Sequence, residues 1–342
     1  MIGWYVHHQG RGHLQQFRLI ASHLKTPVTV LSTIDRPPWW VGEWVCLPSD
    51  VDVEHPGDVS AGGVLHWVPL HSPGLRRRGA AIAAWIDSAR PQAFVTDVSV
   101  EVTLLARILG VPVIVAAMRG MRTDRAHMAA YDGAHALLAP WPAELNPADW
   151  PRRWHAKTWN VGAFSTFDVT PRPPTRRTTP HKNVLVVMGA GGSDVSMRTI
   201  ADARAATPRW TWRSAGVGAW LPRAALWRAL CDAHVVITHA GQNAVAEVAA
   251  ARRPAVVVAQ PRPHGEQLET ARTLDHAGIA TGLARWPAPE HLPRLLNDAA
   301  ARGGDTWRKW SRGDGAQRAA RLLDQLVDRV GETESDASCT RH

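Results

Sequence analysis

Short apolar runs alternate with longer stretches of helical spacing, and this alternation limits the fold more than any other feature. Residues 2–6 (IGWYV), 27–32 (PVTVLS), 64–68 (VLHWV), 93–97 (AFVTD), 111–117 (VPVIVAA) and 134–139 (AHALLA) read as strands. Between the first two, apolar residues at 14, 17, 20, 21 and 24 follow a helical period. Between the fourth and fifth, VSVEVTLLARILG ends in a glycine suited to a helix C-cap. The pattern breaks at 168–182, where DVTPRPPTRRTTPHK has no apolar period and reads as a linker. It restarts with NVLVVMGAGGS (183–193) and continues through strands at 235–238 and 255–259 and helices near 194–206, 221–231, 242–252 and 265–277. Such alternation predicts parallel sheets with helices on both faces. The expected organisation is two doubly wound α/β domains, 1–167 and 183–304, a final helix at 305–330 and a polar, disordered tail at 331–342.

At 342 residues, with 45% hydrophobic and 20% charged residues, the chain suits two globular domains. No apolar run reaches the ~18–20 residues that span a bilayer, and residues 2–6 are too short for a signal-peptide core. Three widely spaced cysteines form no CxxC pair, which points to a reducing, cytoplasmic compartment. The net charge of +9 comes almost wholly from scattered arginine. That is the pattern of a solvated surface, and it also allows peripheral contact with anionic lipid at the inner face of a membrane. Aromatic–basic RNA motifs are missing, so nucleic acid is not an expected partner.

Ligands of parallel α/β domains bind beyond the carboxyl ends of the strands, which selects three loops. Gly189 to Ser193 (GAGGS) follows a strand and precedes a helix, so Gly191, Gly192 and Ser193 could cradle a phosphate, although a tight turn with no ligand fits equally well. At 238–254, THAGQNAVAEVAAARRP places His239 and Gly241 at a strand end and a helix start at Gln242, with Glu247 farther along to accept both hydroxyls of a ribose. At 261–271, Glu266 and Gln267 open a helix, either to complement its dipole or to recognise sugar hydroxyls.

Taken together, HAGQNAVAE, Pro254 and EQLETA resemble the donor motif of GT-B glycosyltransferases, HCGWNSxxE…P…DQxxNA, and the C-terminal domain of glycosyltransferase family 28. His239, Gly241, Asn243, Glu247 and Gln267 match. Ala240, Gln242, Glu266 and Thr270 depart from it, and the last three changes leave the sugar open. Trp220 is similar to the tryptophan that stacks on the base in some members. GRGHLQQFRLIASHL resembles the GxGHxxPxxxLAxxL segment after the first strand, with Gly10, Gly12, His13, Ala21 and Leu24 in place. The resemblance implies two Rossmann-like domains facing a cleft, with a C-terminal helix crossing back. It implies His13 as general base held by Asp97, and an inverting reaction that moves a hexose-type sugar from a UDP- or dTDP-sugar to an acceptor hydroxyl, with no cofactor.

The HHQGRGH stretch then reads as a turn presenting His13 to the cleft. A metal site is not expected. In an extended segment His7 and His8 point to opposite faces, no partner spacing accompanies them, and no Asp-x-Asp clamp stands out. Two rivals share the fold, a nucleotide-sugar hydrolase and an epimerase. A third is a non-catalytic protein that binds an anionic membrane or nucleic acid. The acceptor, a small molecule, glycan or lipid-linked compound, is not readable. Trp39, Trp40, Trp44 and residues 60–78 either border its pocket or pack internally.

Overall fold

The computed structural model describes residues 1–9, 11–54, 57–173, 182–189 and 194–339, the last eight and residue 11 by backbone alone. The first sheet contains β1 (Ile2–Tyr5), β2 (Val28–Ser32), β3 (Glu43–Cys46), β4 (Ala93–Asp97), β5 (Val113–Ala116), β6 (Ala136–Ala139) and β7 (Thr158–Asn160). Its helices are α1 (Arg11–Ala21), α2 (Pro73–Ala89), α3 (Val100–Ile108), α4 (Arg125–Gly133) and α5 (Arg152–Ala156). The second sheet contains β8 (Lys182–Val187), β9 (Trp210–Ala215), β10 (Val235–His239), β11 (Ala255–Val258) and β12 (Thr281–Leu283). Around it lie α6 (Met197–Ala206), α7 (Arg223–Asp232), α8 (Gln242–Ala251), α9 (Glu266–His276) and α10 (Leu292–Arg302), and α11 (Gly315–Cys339) ends the chain.

Both sheets are parallel throughout, in the orders β3-β2-β1-β4-β5-β6-β7 and β12-β11-β10-β8-β9. Each order reverses direction beside its first strand, and there the loops after the strands splay apart and leave room for a ligand. The central strands are buried on both faces, which explains why they read as continuous apolar runs. In the first sheet the strand period sorts side chains by face. Ile2, Trp4 and Val6 pack with Phe17 and Ile20 of α1, whereas Tyr5 packs with Ile82 and Ile86 of α2. Each fully buried Ile or Phe among them stabilises the fold by about 1.5–3 kcal/mol.

α11 crosses back to the first sheet, where Leu323, Leu326 and Val327 complete the core beneath Ile2, Trp4 and Phe17. Asp324 accepts hydrogen bonds from the Lys25 and Thr26 backbone at 3.2 and 3.0 Å. Its backbone stays helical through residue 339, where a disordered tail was expected from 331; no proline interrupts that stretch. Of the expected linker, residues 174–181 lie outside the described residues.

The strand expected at 64–68 is a loop. The amides of His66 and Trp67 donate to the Glu101 carboxylate at 2.7 and 3.0 Å instead of to a neighbouring strand. The third strand of the sheet is β3, a short half-exposed edge strand whose mixed pattern carries little signal. Among the described residues, no helix is long and apolar enough to cross a membrane.

Candidate active site in the interdomain cleft

The carboxyl ends of the two sheets border one cleft of about 390 Å³, and residues of both halves line it. From the first half, α1 carries His13 on its opening turn and β4 ends at Asp97. His13 Nδ1 lies 2.8 Å from Asp97 Oδ2, and the carboxylate is buried. The structure thus joins two residues that are 84 positions apart in the sequence. Burial lowers the His13 pKa, but the charge and hydrogen bond of Asp97, helped by the charge of Glu266, outweigh it and leave the imidazole above its ordinary value. With Nδ1–H given to Asp97, Nε2 keeps its lone pair for a substrate proton.

The ring of His7 stands edge-on to His13, with centroids 5.8 Å apart. His7 and His8 do not point to opposite faces as expected. Their rings stack at 4.7 Å and 14°, because β1 stops at Tyr5 and the alternation of a strand ends with it. Burial, followed by the charges of His13 and His8, holds His7 down at about 4, so it is neutral at pH 7.

From the second half, β10 delivers His239 and α8 starts three residues later. Gly241 caps α8 without any side-chain hydrogen bond, so the first-turn amides are available to an anion. His239 Nδ1 accepts from the Gly241 amide at 3.1 Å, which places the ring proton on Nε2. Burial, reinforced by Arg262 and opposed by Gln267, pushes this ring down to about 4. His239 is therefore a neutral N–H donor at pH 7. Glycines flank it by necessity: a Cβ on Gly189 would sit 2.6 Å from Nε2, and one on Gly241 2.4 Å from Cε1.

Gln242, Asn243, Glu247 and Glu266 line the same cleft, as do Gly12 and Trp220. Trp220 is 65% exposed, a large flat surface at the rim. Asn243 Nδ2 reaches the Gly12 carbonyl across the cleft at 3.5 Å. The Glu247 carboxyl is pushed up to about 7 by burial, against the charge of Arg223. Burial also raises Glu266, against Arg122, His13 and Arg262. Gln267 is 3% exposed and does not line the cleft. Its Oε1 accepts from the Gln260 amide at 3.1 Å and its Nε2 lies 3.5 Å from His239 Nδ1, so it supports that ring from behind. Gly10, Gly191, Gly192 and Ser193 fall outside the described residues.

Sequence reasoning missed several lining residues, namely Gln15 and Gln16 after His13, Met118 after β5, and Leu221 and Leu226 near α7. Helical spacing does place Gln16 one turn after His13, and that was a usable signal. Trp39, Trp40 and Trp44 do not line the cleft; they pack on the core beneath α1, with Phe17 4.9 Å from Trp40.

No curated protein sequence matches the chain. Residues 225–311 match the glycosyltransferase family 28 C-terminal domain. Among solved structures, the chain is similar to the glycotransferase of kitacinnamycin, with a TM-score of 0.66 at 19% identity, covering 95% of this chain and 98% of that one. It is similar to CalG4, the calicheamicin glycosyltransferase, with a TM-score of 0.65 at 17% identity and coverage of 96% and 98%. It is also similar to MurG of Acinetobacter baumannii, with a TM-score of 0.64 at 15% identity and coverage of 95% and 99%. At such identities these likenesses establish the fold, two parallel-sheet domains facing a cleft. The chain therefore has the GT-B fold, and the match to the family 28 C-terminal domain at 225–311 falls in its second half.

Proposed function

We propose that the protein catalyses inverting, metal-independent transfer of a hexose-type sugar from a nucleoside diphosphate donor to an acceptor hydroxyl. The observation that carries this reading is the His13–Asp97 pair, 2.8 Å apart, facing an uncapped helix N-terminus across a shared cleft. His13 Nε2 takes the proton of the acceptor hydroxyl as its oxygen attacks the anomeric carbon. Asp97 fixes the tautomer and balances the imidazolium that forms. The bond to the donor diphosphate breaks on the opposite face of the sugar, which inverts the anomeric centre.

The leaving diphosphate meets the α8 amides and the neutral His239 Nε2–H, with Gly191, Gly192 and Ser193 assigned to the same cradle. Glu247, in its ionised form, accepts the two ribose hydroxyls, and Trp220 stacks on a uracil or thymine base. Glu266 faces the sugar, and Gln267 acts through His239. The free thiols of Cys46 and Cys231 support a reducing, cytoplasmic setting.

Calorimetric titration with UDP and dTDP without added metal tests the donor site, and product analysis tests the chemistry. Transfer requires an acceptor and yields a glycoside of inverted configuration. Release of free sugar with no acceptor would assign the cleft to hydrolysis instead. Failure of both nucleotides to bind would remove the basis of the reading.

A further inference from the structure

A second cluster lies outside the cleft, at the contact between the two halves. His66 comes from the loop before α2, His127 from the first turn of α4 and His264 from the loop before α9. One ring nitrogen from each lies within 4.8 Å of the others. All three rings also turn a nitrogen toward the same carboxylate. Asp124, the N-cap of α4, has Oδ1 3.2 Å from His66 Nε2, and its Oδ2 lies 2.5 Å from His127 Nδ1 and 3.9 Å from His264 Nδ1.

His264 is held there by its backbone. It has φ 58° and ψ 13°, a conformation that costs a non-glycine residue about 1–3 kcal/mol. Its carbonyl accepts from the Met121 amide at 2.8 Å, and a Cβ on Gly120 (φ +91°) would meet that carbonyl oxygen at 2.4 Å. The two loops therefore touch backbone to backbone, and only glycine permits the approach. None of the three histidines lines the cleft.

We infer that His66, His127, His264 and Asp124 form a binding site for a divalent transition-metal ion that bridges the two halves of the chain. Three imidazoles with one carboxylate suit zinc, cobalt or nickel rather than calcium or magnesium. Tetrahedral zinc with Zn–N bonds of about 2.0–2.1 Å sets ligand nitrogens about 3.3 Å apart, so the rings close in slightly around the ion. His66 and His264 are 31% and 33% exposed and Asp124 38%, which leaves an open path for the ion. Arg122 opposes binding. Arg122 Nη1 now lies 3.0 Å from His127 Nε2, and when Nδ1 takes a metal the proton moves to Nε2. The guanidinium then loses its acceptor, while its Nη2 already lies 3.6 Å from Glu266 Oε2.

The test is zinc binding to the whole protein, by calorimetry after chelator treatment and dialysis, with cobalt absorption and X-ray absorption on the wild type. The expected result is one ion per chain, a nitrogen- and oxygen-only shell containing three imidazoles, and a rise in melting temperature. His66→Ala and His264→Gln should each weaken zinc binding at least tenfold, whereas His276→Ala, an exposed histidine elsewhere, should leave it unchanged. Absence of stoichiometric binding, a shell with sulfur or fewer than three imidazoles, or wild-type affinity in both cluster variants would overturn the assignment. The spectroscopy needs no variant, so it decides even if a substitution impairs folding.

Discussion

The raised pKa of Glu247 has a measurable consequence for nucleotide binding. With burial holding the carboxyl at about 7, it is about 10% ionised at pH 6 and about 90% at pH 8. Only the ionised form accepts hydrogen bonds from both ribose hydroxyls, because a protonated carboxyl spends one oxygen as a donor. Apparent affinity scales with the fraction of competent protein. Raising the pH from 6 to 8 should therefore tighten UDP or dTDP binding about ninefold, or ~1.3 kcal/mol. Binding at pH 7 should release about half a proton per nucleotide. Calorimetry at pH 6, 7 and 8, in buffers of different ionisation heat, reads both quantities. The nucleotide diphosphate titrates in the same range, so the comparison is with Glu247→Gln. That variant should bind more weakly at pH 8 by about 1.5–3 kcal/mol and lose the part of the pH dependence due to the protein. Identical slopes in wild type and variant would refute the reasoning, as would tighter binding by the wild type at acid pH.

Removing the base by His13→Ala should lower kcat by about 10²–10⁴-fold with little effect on nucleotide affinity. Because Asp97 and Glu266 hold the His13 pKa above its ordinary value, kcat/KM should fall as pH drops through that raised value. In Asp97→Asn the acid limb should move to lower pH, as a pH–rate profile will report. Trp220→Ala removes a 65%-exposed ring, so it should weaken nucleotide binding by about 1–3 kcal/mol while the melting temperature stays unchanged. Gly120→Ala drives a Cβ to 2.4 Å from the His264 carbonyl at φ +91°, so it should destabilise the protein by about 1–3 kcal/mol in denaturant unfolding.

The central strands were legible because burial on both faces writes them as plain apolar runs, as in β4 and β11. Edge strands were not. β7, β9 and β12 have exposed or half-exposed positions and no continuous run to find. The donor loop was legible because glycine, histidine and helix start are adjacent in sequence. His13 and Asp97 were paired only through resemblance, since no local pattern links residues on different strands. The histidine cluster was invisible for the same reason. Its three rings come from two loops and the first turn of a helix, in two halves of the chain, and His66 fell within a segment expected to be a strand. Gln267 illustrates a different limit. Sequence placed it in the right motif, but whether its amide faces the cleft or the back of His239 depends on side-chain packing.

The return of α11 to the first sheet also affects how the chain is made. The core under Ile2, Trp4 and Phe17 closes only with Leu323, Leu326 and Val327, and the Thr26 amide finds its acceptor 298 residues later at Asp324. During synthesis at about 5–20 residues per second, the amino-terminal half therefore leaves the ribosome with one face of its sheet uncovered. It stays so for roughly 8–35 seconds, until the last helix emerges. Meanwhile the second sheet, whose strands are contiguous in the chain, can close on its own. The half translated second thus completes its core before the half translated first.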